Sequence, residues 1–290
     1  LDKLIYVLAI GIDSAPNNQL EVTFQFSKPL SPESGSTETA KTTTNTVVAS
    51  SLSNAINLVN SYQERQLNLS HCKIIIFSEK LASIGIENEI FTLINDTQIR
   101  PSSNIVISKC TAKDYINNTQ PEVENLISKY YEMFTDSSKY TGHLPDATIG
   151  NFFNALCCQS CDAYAILGNM STDDSFVTGT NNTRNVGVAV FRNDKLVGEL
   201  NIPETISFLA IKNKVKRFLI SVPDPLNNDE FIDLYVTPYK SPKISVDTST
   251  SSPYISVKCY FSAHIYSMTS NSKYLSADVL NSVSNYCNSY

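Results

Sequence analysis

The chain has 290 residues, of which 42% are hydrophobic and only 17% charged; this excludes an intrinsically disordered chain and is enough for about two domains. A net charge of −6 argues against a general nucleic-acid binder, which needs a basic face for phosphates, and the densest basic cluster (Lys212, Lys214, Lys216, Arg217) reads as solvated surface. No run approaches the ~20 apolar residues that span a bilayer.

Leu4 to Asp13 is an apolar run without helical spacing, the pattern of a strand buried on both faces. Pro16, Asn17 and Asn18 mark a turn. Leu20, Val22, Phe24 and Phe26 then alternate with polar residues, so the first two elements predict a hairpin. The Pro-, Ser- and Thr-rich stretch 29–46 reads as a long surface loop. Val48, Leu52, Ala55, Val59 and Tyr62 follow at spacings of 4, 3, 4 and 3, an amphipathic helix running to about Arg65.

Lys73 to Phe77 predicts a short buried strand. A helical region extends from it to about Ile94, with Ile86, Ile90 and Leu93 on one side, and Ser103 to Ser108 is another strand. Thr119 and Glu122 have capping-box spacing, with Pro121 in the first turn of a helix continued by Val123, Leu126, Ile127, Tyr130 and Phe134. Pro145 and Asp146 open a helix facing Ile149, Phe152, Phe153 and Leu156 inward, and Ala163 to Leu167 is a strand. The first half therefore reads as a mixed sheet with packed helices that closes near residue 170.

The polar stretch 169–185 is a candidate linker. Val186, Val188 and Val190 alternate, Arg192 to Lys195 turns the chain, and Leu196 and Val197 return it; Asn193 tolerates the positive φ that hairpins require. Thr205 to Lys212 predicts a short helix. Phe218 to Val222 and Phe231 to Val236 predict strands, with Ile232, Leu234 and Val236 buried. The strongest strand comes last: Ile255, Val257, Cys259, Phe261, Ala263 and Ile265 alternate without a break against Tyr254, Ser256, Lys258, Tyr260, Ser262, His264 and Tyr266. Ser276 then caps a helix carrying Val279, Leu280, Val283, Tyr286 and Cys287. A start without Met and a last helix without a stop signal predict a fragment trimmed at both ends.

Chemistry-bearing motifs are scarce. There is no Gly-rich phosphate loop, no nucleophile elbow and no paired-histidine zinc motif. His71, His143 and His264 lie far apart, and Asp224 to Glu230 lacks the central Gly and terminal Glu of a calcium loop, so it reads as an acidic surface loop. Seven cysteines are too few for a disulfide scaffold. Cys158 and Cys161 have zinc or redox spacing without a second ligand pair, so three readings of the Cys157, Cys158 and Cys161 cluster stay open: structural thiols, a disulfide, or a metal. No catalytic residue, cofactor or metal ligand is assigned.

Four segments resemble the C-subunit lipoproteins of bacterial spore germinant receptors, the Ger(x)C family. They are Leu8 to Asp13 followed by Val22 to Gln25; Leu69 to Ala82; Ile99 to Ser103; and Gly187 to Leu200, in the same order and at similar spacing. The resemblance covers about residues 4–270, and no single motif carries it. It implies a non-enzymatic subunit with a lipid on an N-terminal Cys absent from this chain. Such a subunit sits on the outer face of the spore inner membrane beside integral membrane A and B subunits and responds to small nutrients.

The resemblance implies a multi-domain α+β fold of mixed β-sheets with packed helices. Residues 1–172 would form an N-terminal domain, 173–240 a smaller one with a β-hairpin, and 241–290 the start of a third. Two further readings stand beside this one, a module that binds an amino-acid germinant itself and a hydrolase. For partner contact, the exposed turn Asn193, Asp194 and Lys195 is the candidate, because a turn on a rigid sheet is a common contact point.

Overall fold

The computed structural model describes residues 3–27, 42–119, 127–170, 183–224, 227–249, 252–268, 280–281 and 283–286. The expected α+β architecture is present. A large mixed sheet is built around four parallel strands, β1 (Leu4–Ala15), β5 (Ile74–Ser78), β6 (Asn104–Ser108) and β7 (Tyr164–Met170). Antiparallel strands flank this centre: β2 (Gln19–Ser27) and β3 (Thr42–Ala49) beside β1, and β8 (Thr183–Arg192) and β9 (Lys195–Leu200) beside β7. The short β4 (Gln66–Asn68) pairs with the start of β1.

Helices cover both faces, which is why the central strands are apolar without a break; Ile74, Ile75, Ile76 and Phe77 are all fully buried. One face packs on α1 (Leu52–Tyr62), α2 (Glu79–Ile84), α3 (Glu87–Asn95) and α6 (Ile149–Leu156), through Leu52, Ala55, Val59, Leu81, Ile90 and Phe152. The other packs on α4 (Ala112–Asn118) and α5 (Ile127–Thr141), through Tyr115, Ile116, Tyr131 and Phe134.

Several expectations need correction. Residues 42–49, read as loop and then helix start, form β3, because Thr and Val pair readily as a strand. Helix α1 begins only after Ser51, whose hydroxyl accepts the Asn54 N–H. The helical region 79–94 is broken at Gly85 (φ 133) into α2 and α3. Thr119 closes the unanticipated α4 and donates its hydroxyl proton to the Tyr115 carbonyl, while Pro121, Glu122 and Val123 lie outside the described residues. Helix α6 is capped by Thr148, not opened by Pro145. Of the last expected helix, Ser276 and Val279 lie outside the described residues; Leu280 and Val283 to Tyr286 are helical.

The remaining strands form a second, antiparallel sheet of β10 (Phe218–Asp224), β11 (Asn227–Asp247) and β12 (Tyr254–Met268). Its core joins Ile232, Leu234 and Val236 to Leu209 and Ala210 of α7 (Ile202–Ile211) and to Val283. Strand β10 pairs only with residues 227–236, so the rest of β11 and β12 is a two-stranded ribbon. The alternation of β12 is present, but its apolar residues are largely uncovered: Ile255 and Val257 are 63% and 37% exposed, while Phe261 meets Phe218 edge-to-face at 5.7 Å and Ile265 packs on the core. Alternation identifies a two-faced strand but not what covers it.

The chain forms two compact units, residues 1–138 with 143–205, and residues 139–142 with 206–290. β8 hydrogen-bonds to β7 across the expected boundary at 172/173, and β11 runs through 240/241.

Candidate functional site

The turn between β8 and β9 has the predicted geometry, with Asn193 at φ 55. Asn193 and Lys195 are exposed, but Asp194 is half-buried and already engaged. Its carbonyl accepts the Ile86 N–H at 3.2 Å, and its carboxylate lies where a Cβ on Gly85 would stand. Burial raises the pKa of Glu89, and the charge of Asp194 adds to the shift. The turn is thus propped on the α2–α3 junction by Asp194 and presents Asn193 and Lys195 outward.

A polar row that sequence reading missed lies at the carboxyl ends of the parallel strands, the edge where open α/β sheets bind ligands. It runs from Asp13 past Ser78 and Ser108 to Gly168. Asp13 is 4% exposed and accepts two backbone N–H groups at the start of α4, from Ala112 at 2.8 Å and Lys113 at 3.1 Å. Burial raises its pKa against the lowering effect of these bonds. Lys113 in turn pairs with Glu21 at 3.0 Å. Gly11 permits this approach, since a Cβ there would stand 2.8 Å from Ile116 Cδ1.

Further along the same edge, Tyr115 donates its hydroxyl to Asn185 Oδ1 at 2.7 Å, and Asn185 Nδ2 is buried without a partner. Ser108 Oγ lies 3.1 Å from Cys110 Sγ, and burial pushes the Cys110 thiol up, away from the thiolate a nucleophile needs. This edge holds α4 to the sheet; its carboxylate is spent on a helix start. The one signal in the sequence was an Asp directly after an apolar strand.

The three histidines sit in different surroundings. His71 stacks on Tyr6 at 4.5 Å, His143 is half-buried with its pKa lowered by burial, and His264 is exposed on β12. Cys158 and Cys161 form a disulfide beside the exposed Cys157, while burial raises the pKa of Cys72 to about 12. Among the described residues, no group of three His, Cys, Asp or Glu side chains could hold a metal ion. A shallow cleft of about 290 Å3 lies between α1 and α3, lined by Leu52, Ile56, Leu69 and Leu93 with Thr92 and Asp96.

Two family models match the chain. The spore germination protein N-terminal domain covers residues 1–167, and the spore germination B3/GerAC-like C-terminal domain covers residues 186–289. The chain belongs to the spore germination GerAC family. Membership makes it a spore germination protein with a role in germinant receptor function. No curated protein and no solved structure matches it significantly. In this GerAC-family protein the C-terminal match begins inside β8, so residues assigned to the second family domain complete the sheet of the first. No helix among the described residues is long and apolar enough to cross a membrane.

Proposed function

We propose that this protein is a non-enzymatic, lipid-anchored subunit of a nutrient germinant receptor, held on the outer face of the spore inner membrane beside integral membrane A and B subunits. The observation that carries the reading is the pair of germination-family matches, which together cover most of the chain. A single diacylated Cys would supply two acyl chains, enough for stable anchoring without a membrane-spanning helix. The turn at Asn193 and Lys195, stiffened by Asp194, is a proposed contact point on those subunits.

The test is co-purification from detergent-solubilised spore membranes. A tagged protein should bring down both membrane subunits, and Lys195→Glu should reduce that yield. Recovery of the tagged protein alone from germination-competent spores would overturn the reading.

A second reading, direct binding of a small amino acid, is favoured by the cleft between α1 and α3. Its volume of about 290 Å3 lies just below the range of ligand pockets, roughly 300–1,000 Å3, so only a small ligand would fit. Saturable heat on titration with amino acids, abolished by Leu93→Trp, would support it; no heat at millimolar ligand would remove it.

A further inference from the structure

The second unit has the opposite charge balance from the first. Residues 139–142 and 206–290 hold nine Lys and Arg against six Asp and Glu, whereas the rest of the chain holds 13 against 22. Several of these bases gather on one face of β11 and β12. Register partners in an antiparallel pair share a face. Lys240 is opposite Tyr260, and Lys243 is directly opposite Lys258. Like charges so placed repel. Both side chains are exposed, and no ion pair among the described residues neutralises either.

Aromatic rings stand between the cations. Lys240 Nζ lies 4.9 Å from the centre of the Tyr260 ring, and Arg217 lies 5.5 Å from that of Tyr235 further along. Acidic groups on this face are Asp233, whose carboxylate is held by Ser221 and Ser267, Asp247 at the far end of the ribbon, and, by strand alternation, the exposed Asp229. The opposite face of the ribbon is aliphatic. Ile244 pairs with Val257 and Val246 with Ile255, and all four are exposed.

We propose that the β11–β12 ribbon is a binding surface for an anionic phospholipid bilayer. Charge complementarity selects the partner: headgroup phosphates supply the counter-charge that no ion pair among the described residues gives Lys243 and Lys258. Tyrosines are at home at headgroup depth. The ribbon is two strands wide, so its aliphatic face also reaches the acyl boundary, as in interfacial amphipathic segments. A nucleic acid would use the lysines and tyrosines but leave the four aliphatic side chains in water. The inference does not rest on the receptor reading. It concerns a contact separate from any lipid anchor, and the unlipidated chain reads it alone.

The test is sedimentation of the chain with phosphatidylcholine vesicles, with and without phosphatidylglycerol, at low and high salt. Binding should require phosphatidylglycerol and fall as salt rises. The triple variant Lys240→Gln/Lys243→Gln/Lys258→Gln should bind about a hundredfold more weakly, at about fivefold per lysine, with its circular dichroism unchanged. If that variant fails to fold, the lipid and salt dependence of the unmodified chain still decides. No binding to phosphatidylglycerol vesicles at low salt would overturn the proposal, as would equal binding to neutral vesicles. Tighter binding to single-stranded DNA than to the anionic vesicles would also overturn it.

Discussion

Phe191 tests whether the two halves recognised by the family models share one core. It lies in the C-terminal match, yet it is 1% exposed and its ring meets Phe152 of α6 edge-to-face at 4.8 Å. Phe191→Ala removes a buried ring and leaves a cavity between β8 and α6, at a cost of about 3–5 kcal/mol. The lost edge-to-face contact is about 0.5–1.5 kcal/mol of that. With a urea dependence near 2 kcal/mol per molar, the midpoint should fall by about 2 M. Hydrogen exchange, read peptide by peptide, should show the loss of protection reaching the peptides that carry Ile75, Phe77, Ile149 and Phe152, which share this cluster. A loss below about 1 kcal/mol, or one confined to residues C-terminal to 172, would refute a shared core.

Other outcomes follow from single residues. Burial holds the folded pKa of Asp13 above its ordinary value of 3.8, so folding favours the protonated form. Stability from this group is fully present below the unfolded pKa and is lost as the pH rises through the folded one. The urea midpoint of the unmodified chain should therefore fall with pH above 3.8 relative to Asp13→Asn; parallel curves would contradict this. Gly187 has φ 100, and an added Cβ would stand 2.5 Å from the Leu200 carbonyl oxygen. Gly187→Ala should cost about 1–3 kcal/mol in thermal unfolding. A thiol reagent should label exposed Cys157 in the native protein and reach Cys72, its pKa pushed up to about 12, only on unfolding.

Much of the sheet was legible because its central strands are buried on both faces. Unbroken runs such as Ile74 to Phe77 follow directly from that burial; the alternation from Leu20 to Phe26 marks one apolar face of β2, although Thr23 and Gln25 between them are buried as well. Elements whose stability comes from distant residues were not legible. Helix α4 spans seven residues; its cap, Thr111, is local, but Asp13, 99 positions away from Ala112, accepts two further N–H groups at its start, which no local pattern reveals. The pairing of β7 with β8 is likewise non-local. Its polar connection read as a linker, and only the register of Ala165 with Ala189 places both in one sheet. The turn at Asn193 was visible through the backbone preference of Asn, but the prop beneath it required Gly85 and Ile86, more than 100 residues earlier. The ribbon shows the opposite limit: its alternation was read correctly, yet its apolar face is uncovered.

Docking within a germinant receptor can be read out directly. Photo-crosslinking side chains placed one at a time at exposed positions, including Asn193, Lys195 and Lys243, would test it in intact spores. Covalent adducts with the membrane subunits of the receptor are expected from at least one contiguous patch. Germination-competent spores in which every position remains free of such adducts would contradict it.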